Sequence, residues 1–337
     1  MTAIEAEAPS RAPVVEESVA AKIVRITAKT PIHLLLVFIG LLWLIPTLGL
    51  LLTSIMSPVD FESMGWWKIF TKPSIATWQN YSDLFNNGTL THSLWVTAQI
   101  AVGGTIVPII VGALAGYAFA WLDFPGRDWL FVGVIGLLVV PLQMALIPIF
   151  SLYNDVGIFD TVFSLILFHT AFGLPFAIFL LRNFFIGIPK DIFESARIDG
   201  ASEIRIFLRL VLPLGLPAIA SLAIFQFLFT WNDLLVALTF GRETQPITVA
   251  IFNQLTEFGN NIEIIAPAAF VSLALPLVVF FAFQRYFVQG LLAGSVKLGL
   301  GRAIEQHRAI AQARPNPGCD RGRWSRRLRR LPDALPR

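Results

Sequence analysis

The sequence predicts an all-α integral membrane protein with about six transmembrane helices, and three observations carry that prediction. Hydrophobic residues make up 55% of the 337-residue chain and charged residues only 14%, well below the roughly 25% of soluble domains. The mean hydropathy is +0.70. Six windows are apolar over the roughly 20 residues that a helix needs to cross a hydrocarbon layer about 30 Å thick. One soluble core cannot hide so much apolar surface, whereas lipid removes the need to hide it.

The windows cover residues 32–56, 92–121, 129–150, 158–181, 210–237 and 264–287. Pro46, Pro108, Pro141, Pro148, Pro175, Pro217 and Pro276 lie inside them. Each proline frees backbone groups that a neighbouring helix or water must satisfy. Gly103, Gly104, Gly112 and Gly116 permit close helix approach. Together they predict bent, packed helices, although any one glycine or proline is also ordinary in a membrane helix.

The chain divides into three regions on composition. Residues 1–31 hold Glu5, Glu7, Glu16 and Glu17 among alanines and prolines and read as a disordered N-terminus. This segment lacks a basic start, a short apolar run and a small-residue cleavage site, so the first window reads as a retained helix. Residues 32–302 form the transmembrane domain, and 303–337 read as a basic, disordered tail. Six spans put both termini on one side. Of the 25 lysines and arginines, only Lys68, Lys72 and Arg242 fall on the other, which predicts cytoplasmic termini. The same distribution explains a pI near 9.2 without a nucleic-acid partner. The lone Cys319 makes no intramolecular disulfide and lacks zinc-site neighbours.

The segment 182–209, between the fourth and fifth windows, is long for a loop in such a protein. Pro189 suits a first helical turn and Asp191 complements the dipole there. Gly200 suits a left-handed helix end, and Ser202 suits the cap of a second helix. The expected product is a short helix, a turn and another short helix. It would present Glu194, Arg197, Asp199 and Arg205, with Phe193, Ile198 and Phe207, to the cytoplasm. Apolar groups ordered outside the membrane imply a docking surface for a soluble partner rather than a plain solvated loop.

Glu194-Ser195-Ala196, then Gly200, then Leu210 before Leu212-Pro213, resembles the EAA motif of ABC importer permeases. That motif is Glu-Ala-Ala, three residues, Gly, nine residues, Ile, one residue, Leu-Pro. This chain departs from it at Ser195 and Leu210. Asp199 and Ala201 complete the extended form. Tyr117-Ala118-Phe119-Ala120 with Phe124-Pro125-Gly126 is similar to the exit of the second span in carbohydrate permeases, and Trp231-Asn232-Asp233 to their Trp-Asn-Asp/Glu signature. Phe283 to Leu291, then Gly294-Ser295-Val296-Lys297, resembles their C-terminal end. The likeness covers about residues 32–300. It is nearest the smaller permease of maltose-type systems and, around the last two spans, α-glucoside permeases.

The resemblance implies a MetI-like permease fold whose loop is a cytoplasmic coupling helix-turn-helix between helices four and five. It implies Glu194, Ser195, Ala196, Asp199, Gly200 and Ala201 as the residues that couple to an ATPase. The expected partners are a second permease in a heterodimer, two ATP-binding cassette subunits, an extracytoplasmic sugar-binding protein, a di- or oligosaccharide and membrane lipid, in a bacterial inner membrane. No Gly-x-x-x-x-Gly-Lys-Ser/Thr loop is present, so ATP is expected on the partner and no cofactor on this chain. Neither His-Glu-x-x-His nor Gly-x-Ser-x-Gly occurs, so no catalytic or metal residues are expected. The competing readings are a permease for a non-sugar solute and an ATP-independent secondary transporter, which leaves the loop unexplained.

Polar residues inside windows are costly and are functional candidates. Gln226, Trp231, Asn232 and Asp233 fit a sugar site, where aromatics cover the ring and amides and carboxylates bond hydroxyls. They fit equally a packing element where two permeases meet. Gln143 and His169 are also intramembrane, and His169 reads as a structural hydrogen-bonding residue. The basic run beyond Arg302 departs from the family's pattern and reads as an extension without function. Contact with anionic lipid is the alternative.

Overall fold

The computed structural model describes residues 19–258 and 261–284. These form helices α1 Val19–Ser54, α2 Pro58–Ser63, α3 Gln79–Asn86, α4 Gly88–Trp121, α5 Arg127–Leu137, α6 Leu142–Asp155, α7 Val162–Phe185, α8 Lys190–Ile198, α9 Glu203–Ile206, α10 Leu212–Trp231, α11 Leu235–Phe240 and α12 Ile247–Phe258, then α13 Ile262–Gln284. No strand occurs among the described residues, only one isolated bridge, Met56 to Ala76. Residues 1–18 and 285–337, with most of the C-terminal resemblance and the basic tail, lie outside them.

Five stretches are each long and apolar enough to cross a membrane: Pro31–Ser54, Gly88–Trp121, Val162–Phe185, Glu203–Trp231 and Ile262–Gln284. The third window is not the single span expected. It is the pair α5 and α6, bent by 98°. Pro141 explains the break, because it has no N–H and pushes the preceding residue out of helical geometry. The pair brings the spans to six only if it counts as one. A second expectation also fails: residues 19–31 continue α1 as helix rather than remaining disordered.

The chain divides into two units. Among the described residues, the first comprises those up to 92 and those within 250–273. In it, the segment after α1 is stapled at its two ends. Thr77 N–H donates to the Ile55 carbonyl at 2.7 Å, and the buried Asn80 amide donates to the Ser54 and Met56 carbonyls at 3.0 and 2.7 Å. Trp66 lies against Gly49 of α1.

Among the described residues, the second unit comprises 93–249 and those from 274 onward, and it is built on α4, α7 and α10. Two apolar clusters occupy its ends. One gathers Val96 and Ile100 of α4 with Leu165 and Phe168 of α7, Tyr153 of α6, and Val236 and Phe240 of α11. The other gathers Tyr117, Leu181, Phe185, Phe193, Phe207 and Leu222. Helices α4 and α7 touch at backbone distance. A Cβ on Gly112 would lie 2.7 Å from the Ala177 Cβ, and one on Gly116 would lie 3.0 Å from the Arg182 nitrogen. Close approach strengthens dispersion contact where lipid offers no hydrophobic drive.

Gly112→Leu is therefore expected to force α4 from α7 and cost about 1–3 kcal/mol. Gly133→Ala, where the added Cβ meets nothing within 4 Å, should be neutral. Thermal unfolding of the purified membrane complex checks both.

Candidate functional site

The loop between α7 and α10 is a defined structure. Pro189 sits at the N-cap of α8 with Asp191 in the first turn. Ser195 returns its hydroxyl to the Asp191 carbonyl at 2.8 Å, so serine in place of the motif's alanine points back to its own helix. Gly200 has φ +77°, and two bonds close the helix end. Gly200 N–H donates to the Arg197 carbonyl and Ala201 N–H to the Ala196 carbonyl, both at 3.0 Å. This 6→1 and 5→2 pair is the Schellman arrangement. Ala196, Gly200 and Ala201 are thus the residues that make the turn tight. Ser202 occupies the next N-cap but its side chain makes no capping bond.

The second helix is not separate from the span. Helix α9 runs into a π-helical turn, Phe207–Val211, and on into α10. In the turn, Leu212 N–H reaches back five residues to the Phe207 carbonyl. Pro213, just beyond, has no N–H and its ring crowds the carbonyl four residues back.

Two apolar residues expected to face solvent point inward instead. Phe193 and Phe207 are buried, because the apolar stripe of the loop packs onto the ends of α4 and α7. The Phe193 ring stacks on Trp121, centroids 4.1 Å apart. Trp121 Nε1 donates to the Phe185 carbonyl at 3.0 Å, and Phe207 meets Tyr117 at 5.5 Å. The most exposed apolar groups of the loop are Ile198, 86% exposed, and Ile204, 73% exposed. They flank Gly200. Glu194 and Asp199 are exposed beside them.

The charges of the loop pair in two sets. Lys190 meets Glu194 at 2.8 Å. The hydrogen bond and charge of that ammonium hold the Glu194 carboxyl below its ordinary range. Arg197 Nε donates to Glu203 Oε1 at 2.9 Å, and the Tyr117 hydroxyl donates to Glu203 Oε2. Bonding to Glu203 makes the Arg197 guanidinium hold its proton more tightly. The sequence pattern singled out neither Glu203 nor Trp121. The available signal was a tyrosine and a tryptophan one turn apart on α4, with hydroxyl and indole needing partners.

The polar residues of the spans have structural partners. Gln226 is buried, and its Nε2 donates to the carbonyls of Gly104 at 3.1 Å and His169 at 3.3 Å. Pro108 lacks the N–H that would serve the Gly104 carbonyl, so Gln226 supplies the missing donor across the helix interface. Trp231 is buried, stacked on Phe227 at 5.5 Å. Asp233 accepts from the N–H groups of Val236 at 3.3 Å and Ala237 at 3.0 Å and so starts α11. Its carboxylate lies 3.7 Å from His169 Nε2, beyond hydrogen-bond range. The His169 ring is buried with Nδ1 unpartnered, so the hydrogen bond expected of His169 is made by its carbonyl. Of the four candidates, only Asn232 is exposed. Gln143, near the start of α6, is exposed as well. No group of three or more His, Cys, Asp and Glu suited to a metal occurs among the described residues.

Residues 108–292 match the family described as the binding-protein-dependent transport system inner membrane component. The chain is 44% identical over 275 residues to the osmoprotective compounds uptake permease protein GgtD of Synechocystis sp., covering 80% of this chain and 92% of that protein. It is 50% identical over 237 residues to the alpha-glucoside transport system permease protein AglG of Rhizobium meliloti, covering 68% of this chain and 62% of that protein. A crystal structure of a bacterial ABC transporter involved in alginate import contains a chain with a TM-score of 0.65 and 21% identity. The match covers 81% of this chain and 99% of that one, and establishes a shared fold.

Gln226→Leu should leave the Gly104 carbonyl unserved in lipid and cost about 1–2 kcal/mol. Thermal unfolding of the purified complex, with Asn232→Ala as the near-neutral comparison, checks this.

Proposed function

The chain belongs to the binding-protein-dependent transport inner membrane component family, and from that premise we propose that it is one half of the membrane channel of an ABC importer for sugars, an α-glucoside being the favoured class. One observation carries this reading. The motif residues build an ordered elbow whose apolar underside is held to the span ends, while Glu194, Ile198, Asp199 and Ile204 remain exposed around a tight turn. Exposed apolar and charged groups on a rigid, solvent-side turn suit a soluble protein partner. In this reading the partner is an ATP-binding cassette subunit, which binds and hydrolyses the ATP. A second permease completes the channel, and an extracytoplasmic binding protein delivers the sugar.

The side bearing α8 is then cytoplasmic, as the lysine and arginine distribution requires, and so are both termini. Ser195, Ala196, Gly200 and Ala201 shape the turn, and Glu194 and Asp199 meet the ATPase. Asn232 is assigned to the solute pathway. Gln226, Trp231 and Asp233 support the helix break beside it. The name of GgtD, which specifies osmoprotective compounds, supports a second reading, in which the same machinery carries an osmoprotective solute.

Glu194→Lys is expected to abolish co-purification with the cognate ATPase while leaving membrane expression unchanged. Retained ATPase binding would remove the role given to the elbow. In proteoliposomes with the cognate binding protein, uptake of labelled α-glucosides but not of betaine-type osmolytes is expected, and the converse result selects the second reading. Asn232→Ala should then raise the KM for transport without lowering thermal stability.

A further inference from the structure

The proposed function makes α8 the point where force enters, and the geometry around Glu203 addresses where that force goes next. Glu203 stands at the first position of α9 and commits each carboxylate oxygen to a different element. One accepts from Arg197 of α8 and the other from Tyr117 of α4. Charge-assisted bonds of this kind are about twice as strong as neutral ones. Phe193, four residues before Arg197 and so on the same face of α8, is stacked under Trp121 of α4, and Trp121 is bonded to the end of α7. Helix α8 is therefore fastened at two successive turns to the end of α4. Toward α10 the connection differs. The π-helical turn Phe207–Val211 intervenes, with a wider ladder and Pro213 at its exit. Such turns are sites where helices bend.

We infer that Glu203 is a positioning residue: it clamps α8 and α9 to the end of α4 so that the three move as one body, and α10 swings relative to them about the π-helical turn. This rests on the ABC importer reading. It assigns the first receiver of the ATPase stroke to α4 rather than to the span that follows the elbow in sequence. Neither the motif nor the family match assigns a role to Glu203, Tyr117 or Trp121.

The test uses the complete importer in proteoliposomes on a Cys319→Ser background. Spin labels on Asp191→Cys and Asp123→Cys report α8 against the end of α4. Labels on Asp191→Cys and Leu216→Cys report α8 against α10 across the π-helical turn. The first distance should stay fixed between nucleotide-free and ATP-bound states, and the second should change. Glu203→Gln should broaden the first distribution and lower sugar transported per ATP hydrolysed by about ten-fold, the scale of one charge-assisted hydrogen bond. ATPase co-purification should persist. The exchange Arg197→Glu with Glu203→Arg rebuilds the ion pair between α8 and α9 but leaves the Tyr117 hydroxyl without an acceptor, because a guanidinium accepts no hydrogen bond, so the first distribution should stay broad. The inference is overturned if Glu203→Gln leaves distance and ratio unchanged, if it releases the ATPase, or if both wild-type distances change together. A wild-type complex that moves no sugar would count against the functional reading, while the distances would still decide the clamp.

Discussion

The stack of Phe193 on Trp121 is the contact on which the geometry of the elbow depends. A nine-residue helix such as α8 is marginal by itself in water, because a short helix cannot recover its nucleation cost. Burying one large aromatic ring against a span end supplies what the backbone lacks. Once Phe193 is fixed, the helix has one orientation: Glu194 and Asp199 face out and Arg197 reaches Glu203. The Gly200 turn then returns the chain to the membrane within a few residues. The motif's small residues are explained by the same constraint. Ala196 and Ala201 lie where a larger side chain would separate the turn from the core it is packed on.

Within the membrane the controlling constraint is the satisfaction of backbone groups. Every proline in a span removes a donor, and lipid offers no replacement. Gln226 shows how the fold meets that demand, with one amide placed between α10, α4 and α7 where Pro108 leaves a carbonyl unserved. A buried glutamine bonded to two helices constrains both and fixes their register. Asp233 plays a related part at the break before α11, where its carboxylate takes up N–H groups at a helix start. The helix break beside Asn232 is thus held by polar groups on either flank, and the exposed amide lies between them.

The legible parts of the sequence were those with a short range. Length and apolarity placed four of the six windows close to an observed helix, since a bilayer imposes one length on every helix that crosses it, but the fifth window, 210–237, missed the start of the stretch Glu203–Trp231, which begins in the loop. Glu194, Gly200 and the residues between them were legible as a helix end, because the left-handed turn at Gly200 and its two closing bonds join residues at most five apart. Pro141 announced a disturbance in the third window but not its size, since the angle of a break is set by what each half packs against. Phe193 and Phe207 were misjudged for the same reason. A solvent-side loop read alone shows apolar residues without showing the span ends that cover them.

What the sequence determined by itself is the solvent, the all-helical class and the family, because composition and local spacing encode each of these. Tertiary structure alone decided which side chains of the elbow face outward, which helix the elbow is fastened to, and that Gln226 and Trp231 are occupied by packing. Those outcomes depend on meetings between residues far apart in the chain, 86 apart for Tyr117 and Glu203 and 122 for Gln226 and Gly104. No local pattern records such a meeting. It follows from the distance of closest approach between α4 and α7, set by Gly112 and Gly116, and from the polar groups that the approach leaves to be satisfied.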